Sequence, residues 1–159
     1  MKFKDEEAVG QILECAKEEF MQKGFADASM RTIAEKAGFT TGMLYSRFAD
    51  KNELFSALVK EGADKLYSYF SDVQEEFAEF PAAQQVTEMQ TYTSGKMRTV
   101  LDIIYEYFDT FKLIVCHSAG SGYERYIDRM IEYETDSTER FMRVLQKNGT
   151  SVKTTSRTL

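Results

Sequence analysis

Proline is almost missing from this chain: Pro81 is the only one in 159 residues, beside nine glycines. An all-β fold needs more turn-forming residues than that, whereas long helices suit the count. Cysteine is scarce too, and Cys15 and Cys116 stand far apart. They read as free, usually buried thiols rather than as a disulfide framework. The apolar neighbours Ile114 and Val115 further suggest an inert, buried Cys116. His117 is the only histidine and there is no tryptophan. One histidine beside one cysteine falls short of the roughly four ligands of a zinc site, so no metal and no cofactor are expected. No apolar run approaches the ~18 residues of a membrane span, and the acidic start (Met-Lys-Phe-Lys-Asp-Glu-Glu) does not read as a signal peptide. The expectation is a cytoplasmic protein with no membrane partner. No nucleophile elbow, metal cluster or Ser–His–Asp spacing stands out, so no enzymatic activity is expected.

What the chain does have is 43% hydrophobic and 29% charged residues, enough to bury a core. Its formal charge is −6. Taken alone, that argues against nonspecific attraction to nucleic acid.

Helical periodicity is strong. Residues 6–23 place Val9, Ile12, Leu13, Ala16 and Phe20 on one face, with Gly24 as a stop. Ser29 is a good N-cap for a second helix ending at Ala37-Gly38. Thr40 would cap a third, over about 41–48, whose Leu44 and Phe48 face inward. Asp50, with Glu53 three residues on, has capping-box spacing and opens a long helix to about residue 78. Glu79-Phe80-Pro81 breaks it. A weaker helix over 82–95, a strongly periodic one over 97–116 and a last one over 123–147 follow. Ser118-Ala-Gly-Ser-Gly122 reads as a flexible loop by composition. The predicted fold is all-α. It has an N-terminal three-helix helix–turn–helix unit over residues 1–50, and a larger helical bundle over 51–159.

The informative stretch runs from Ser29 to Lys51. Two short helices joined by a tight glycine turn form the helix–turn–helix arrangement, whose second helix enters a DNA major groove. Gly38 would supply the left-handed turn and Phe39 would plug the angle between the helices. Gly42 would allow close backbone approach. Thr41, Met43 and Tyr45 would be left facing outward, with Arg47 near phosphates.

The ordered series Ile12-Leu13, Ala16, Phe20, Gly24-Phe25, Ser29, Arg31, Ile33-Ala34, Ala37-Gly38-Phe39, Gly42, Leu44-Tyr45, Phe48, Lys51 and Leu54 resembles the N-terminal domain of TetR-type (tetracycline-repressor-like) bacterial transcriptional regulators. It covers about a third of the chain. The resemblance implies that Ser29 and Arg31 lie near phosphates, that Thr40, Thr41, Gly42 and Met43 lie at the groove, and that Tyr45 and Lys51 bind the DNA backbone. Arg47 stands where the family often has histidine and is expected to contact phosphate as well. Ser46 stands where the family often has an aromatic residue or histidine.

The resemblance also implies a ligand-responsive repressor with a palindromic double-stranded DNA operator as partner. It implies an effector pocket in the bundle for a small apolar or amphipathic molecule, with Met89, Tyr92, Tyr105, Phe108, Phe111 and His117 as candidates. In the family the last two helices form a homodimer interface. None is expected after Lys147, so the chain would be shortened or would dimerise by another surface. The competing reading is a helical adaptor that binds protein or a small molecule without DNA. Charge does not forbid the first: residues 1–60 hold nine Lys/Arg against ten Asp/Glu, so most of the acidity lies beyond them.

Overall fold

A computed structural model describes residues 2–149, with side chains from Glu6 onward. The Thr-rich tail from Thr150 lies outside the described residues. Seven α-helices and no strand make up the described part: α1 (Lys2–Asp27), α2 (Met30–Lys36), α3 (Thr41–Tyr45), α4 (Lys51–Ala78), α5 (Ala82–Glu106), α6 (Phe108–His117) and α7 (Tyr126–Lys147). No described helix is long and apolar enough to cross a membrane.

The caps form as their side chains dictate. The Ser29 hydroxyl accepts from the Thr32 amide at 3.3 Å, Thr40 from Met43 at 3.2 Å and Asp50 from Glu53 at 2.8 Å. Each satisfies an amide that the first helical turn leaves unpaired. Glu53 reaches back to the Ala49 amide at 2.6 Å, one residue before the position a capping box would use. α1 is kinked at Gly24, which is not helical. α3 is shorter than the predicted 41–48, because Ser46 and Arg47 turn back onto its last carbonyls.

α4 is the central rod, with α1, α5, α6 and α7 packed around it, while α1 also lies on α6. The buried core is densest near the N-terminal end. There the Phe55 ring meets Phe20 and Phe25 edge-on at 5.0 and 5.4 Å. Ile12, Ala16, Ile33, Ala34, Leu44 and Leu54 fill the space around them. The same core continues into Phe111, Leu113, Ile114 and Tyr126, so the packing runs unbroken across the boundary expected near residue 50.

Three further expectations are corrected. The helix starting at residue 82 does not stop near 95. It runs on to Glu106, and the break comes at Tyr107. The reason lies on the facing helix: Gly62 of α4 leaves room for the Tyr107 ring, which lies where a Cβ at 62 would come within 2.7 Å. The Tyr107 hydroxyl then donates to Glu61 at 2.8 Å. The loop at 118–122 is held rather than loose. Ser118 is buried and bonds the Ile114 carbonyl, and the Gly122 amide donates to Asn52 at 3.1 Å. Tyr123 shares a hydrogen bond with Ser56 at 3.2 Å. The loop is thereby fastened to the first turns of α4. Cys116, expected to be buried, is exposed on the outer face of α6.

Candidate nucleic-acid interface

Residues 29–51 build a surface from a small number of anchors. Gly38 takes φ 73°, the left-handed conformation open to glycine, and turns the chain between α2 and α3. Leu44 is fully buried and is the only buried residue of α3. With Leu44 pointing inward, Met43 and Tyr45 on either side are forced outward, at 41% and 49% exposure. Gly42 and Thr40 are also exposed, Thr41 is half-buried, and Phe48 is buried as expected. Of the three residues expected to face outward, Met43 and Tyr45 do so, whereas Thr41 is half-buried.

The cations are placed less simply. Arg31 stands exposed and pairs with Glu35 at 2.8 Å, a surface pair that holds it only weakly. Arg47 is half-buried and donates to the Met43 carbonyl at 3.3 Å, closing the end of α3. The Lys51 ammonium donates to the carbonyls of Ala26 and Ala28 at 2.9 and 3.1 Å and lies 4.7 Å from the centre of the Phe25 ring. It fastens the start of α4 to the chain leaving α1. The family resemblance implies only that it binds the DNA backbone.

Glu19 was missed altogether. Its side chain is fully buried, yet Lys23 and Lys36 reach its two oxygens at 2.6 and 3.0 Å. Burial alone would raise its pKa. The two lysines, with the Ser29 amide, outweigh that and hold the carboxyl below its usual range. This one group ties α1 to both ends of α2. The i+4 lysine is a visible signal, but it reads as an ordinary surface pair until Lys36 is brought in from 17 residues away.

The helix–turn–helix geometry agrees with what is found by comparison with known proteins. Residues 12–58 match the family described as "Bacterial regulatory proteins, tetR family". They form a tetR-family N-terminal domain. The HTH-type transcriptional repressor KstR2 of Mycobacterium tuberculosis is 34% identical over 64 residues, covering 40% of this chain and 32% of its own. The HTH-type transcriptional activator FasR of Mycolicibacterium smegmatis is 38% identical over 63 residues, covering 40% and 29%. The repressor AcnR of Corynebacterium glutamicum is 34% identical over 62 residues, covering 39% and 33%. The chain thus spans about a third of the length of these relatives.

The second candidate site lies beyond that domain. A cavity of about 250 Å³ opens between α4, α5 and α7. Of the six residues predicted to line a pocket, Met89 and Tyr92 do so. Tyr105 and Phe108 do not, being 75% and 58% exposed. Phe111 is buried in the α1–α4–α6 core, and His117 is half-buried at the end of α6 beside Gly24. The physical reason is the phase of α5. Its unbroken course turns Tyr92, Lys96 and Val100 toward the cavity, while Leu101 and Tyr105 fall on the outer face. Tyr69, Phe70, Val73, Phe77 and Phe141, which are apolar at helical spacing and read as core, supply much of the wall.

The geometry separates the roles of two cations expected to bind phosphate. Arg31→Ala should lower the slope of log affinity for DNA against log salt by about one. Lys51→Met should leave that slope nearly unchanged and cost about 1–2 kcal/mol of stability, since it removes two hydrogen bonds from a charged donor. Fluorescence anisotropy at several salt concentrations, beside urea melts, separates the two effects.

Proposed function

We propose that this chain is a non-enzymatic, DNA-binding transcriptional regulator that represses from a palindromic operator and responds to a small molecule. The observation that carries this reading is the α3 surface: Thr40, Gly42, Met43 and Tyr45 turned outward by one buried leucine, within a tetR-family domain. In this reading Ser29 and Arg31 approach phosphates at the start of α2. Their capping hydroxyl and weakly held guanidinium remain able to donate. Thr41 and Arg47 flank the same contact, and Lys51 supports it from behind.

Residues 1–50 serve as the reader and 51–159 as the regulatory part, a division of labour within one shared core. Reading two half-sites about 34–36 Å apart calls for a homodimer. The workplace is the cytoplasm, where operator DNA is found.

α4 is suited to couple the two parts. At 28 residues it is roughly 42 Å long. Its first residue holds the carbonyls before α2, and its second half lines the cavity. An effector acts only if it binds the DNA-competent and DNA-incompetent arrangements unequally. Selection of bound fragments from random genomic DNA, followed by footprinting, tests the reading. Recovery of one inverted-repeat motif supports it. Retention of no sequence above background by the dimeric protein would reject it in favour of a helical adaptor.

A further inference from the structure

The wall of the α4–α5–α7 cavity is aromatic. Five rings, Tyr69, Phe70, Phe77, Tyr92 and Phe141, face it. The phenolic groups of the two tyrosines are already engaged by backbone carbonyls: Tyr69 donates to Lys96 at 3.3 Å and Tyr92 to Val73 at 3.2 Å. What they offer a ligand is ring surface.

The cavity has two charged residues. The Lys96 ammonium is already matched: it lies 3.0 Å from a Glu76 oxygen and 5.0 Å from the centre of the Tyr92 ring. An anionic ligand would have to draw it away from both. Glu134 is different. One of its oxygens accepts from the Gln74 amide, whose own oxygen accepts from Ser137 at 2.7 Å. That relay orients the carboxylate; among the described residues no cation pairs with it and its other oxygen has no hydrogen-bond partner. Counting Lys96, Glu76 and Glu134, the rim is left with one net negative charge.

We propose that the effector of this cavity is a lipophilic cation: an aromatic or alkyl body among the rings, with an ammonium group set against Glu134. Ring faces attract cations, and a positioned carboxylate at the rim adds to that attraction. This rests on the reading of the cavity as an effector site.

The test uses three probes of one shape on the full chain, 4-phenylbutylamine, 4-phenylbutanol and 4-phenylbutanoate, with affinities from calorimetry at neutral pH. The amine should bind about tenfold more tightly than the alcohol, and the butanoate most weakly. Glu134→Gln should bring the amine down to the level of the alcohol and leave the alcohol unchanged. Val73→Trp, which fills the cavity, should abolish binding of all three. Glu134 is exposed, so E134Q keeps the test open if V73W does not fold.

Equal binding of amine and alcohol, tightest binding of the butanoate, or an amine preference that survives E134Q would each overturn the cation assignment while leaving the cavity standing. If no probe binds, the alcohol included, the effector-site reading falls and the assignment falls with it.

Discussion

Glu19→Ala should destabilise the chain by about 2–3 kcal/mol in urea melts at pH 7. Breaking a buried ion pair by removing one partner commonly costs ~3–5 kcal/mol. Here the groups left behind are lysines whose side chains are 44% and 38% exposed, so both can return to water and the penalty is smaller. The Ser29 amide has no such freedom and loses an acceptor at the point where α2 begins. The same carboxyl predicts an acid dependence with a definite sign. It is held below its usual range, so its stabilisation is complete above the unfolded value near ~4.3 and is lost as pH falls through the folded value. The alanine variant should lack that part of the acid transition. Glu19→Gln should fall between the two at pH 7, since the amide oxygen can still accept from Ser29 but no longer neutralises the lysines. Indistinguishable stability of all three proteins would show that the buried group does not hold α2.

The starts of α2, α3 and α4 were legible in the sequence because each rests on a local interaction. Ser29, Thr40 and Asp50 cap by reaching an amide three residues away, and Gly38 turns the chain by itself. What escaped depends on distant partners. Nothing near Glu19 announces Lys36, and nothing near Lys51 announces the carbonyls of Ala26 and Ala28, 25 and 23 residues back. The break at Tyr107 belongs as much to Gly62 as to its own surroundings. α5 shows the limit of periodicity most clearly. It is apolar on two faces, one through Val100 and Ile103, the other through Leu101 and Tyr105, and only the position of α4 decides which is covered. The predicted pocket residues divided on that question: Tyr92 lies on the covered face, whereas Tyr105 lies on the open one.

Leu44→Ala should remove DNA binding before it unfolds the protein. A fully buried leucine cut to alanine costs about 2–5 kcal/mol, through lost burial and the cavity left behind. In α3 that cost falls on a helix of five residues with no other buried side chain. Isolated helices shorter than about 12–15 residues are marginal in water, so the helix persists only while Leu44 is held among its neighbours. Released, it no longer presents Met43 and Tyr45 in fixed directions, and ordering them again must come out of the binding energy. Affinity for a selected operator fragment should therefore fall by about a hundredfold or more, an effect of ~2.7 kcal/mol, under conditions where the circular dichroism of the remaining helices is unchanged. Amide exchange at residues 43–46 should rise well above that of the α1 and α4 core. Leu44→Met, which keeps the volume, should cost less than about 1.5 kcal/mol and retain most of the affinity. Slow exchange in α3 of the alanine variant would show that the turn and the Thr40 cap hold the helix by themselves. Fast exchange with undiminished affinity would place the DNA contact elsewhere on the chain.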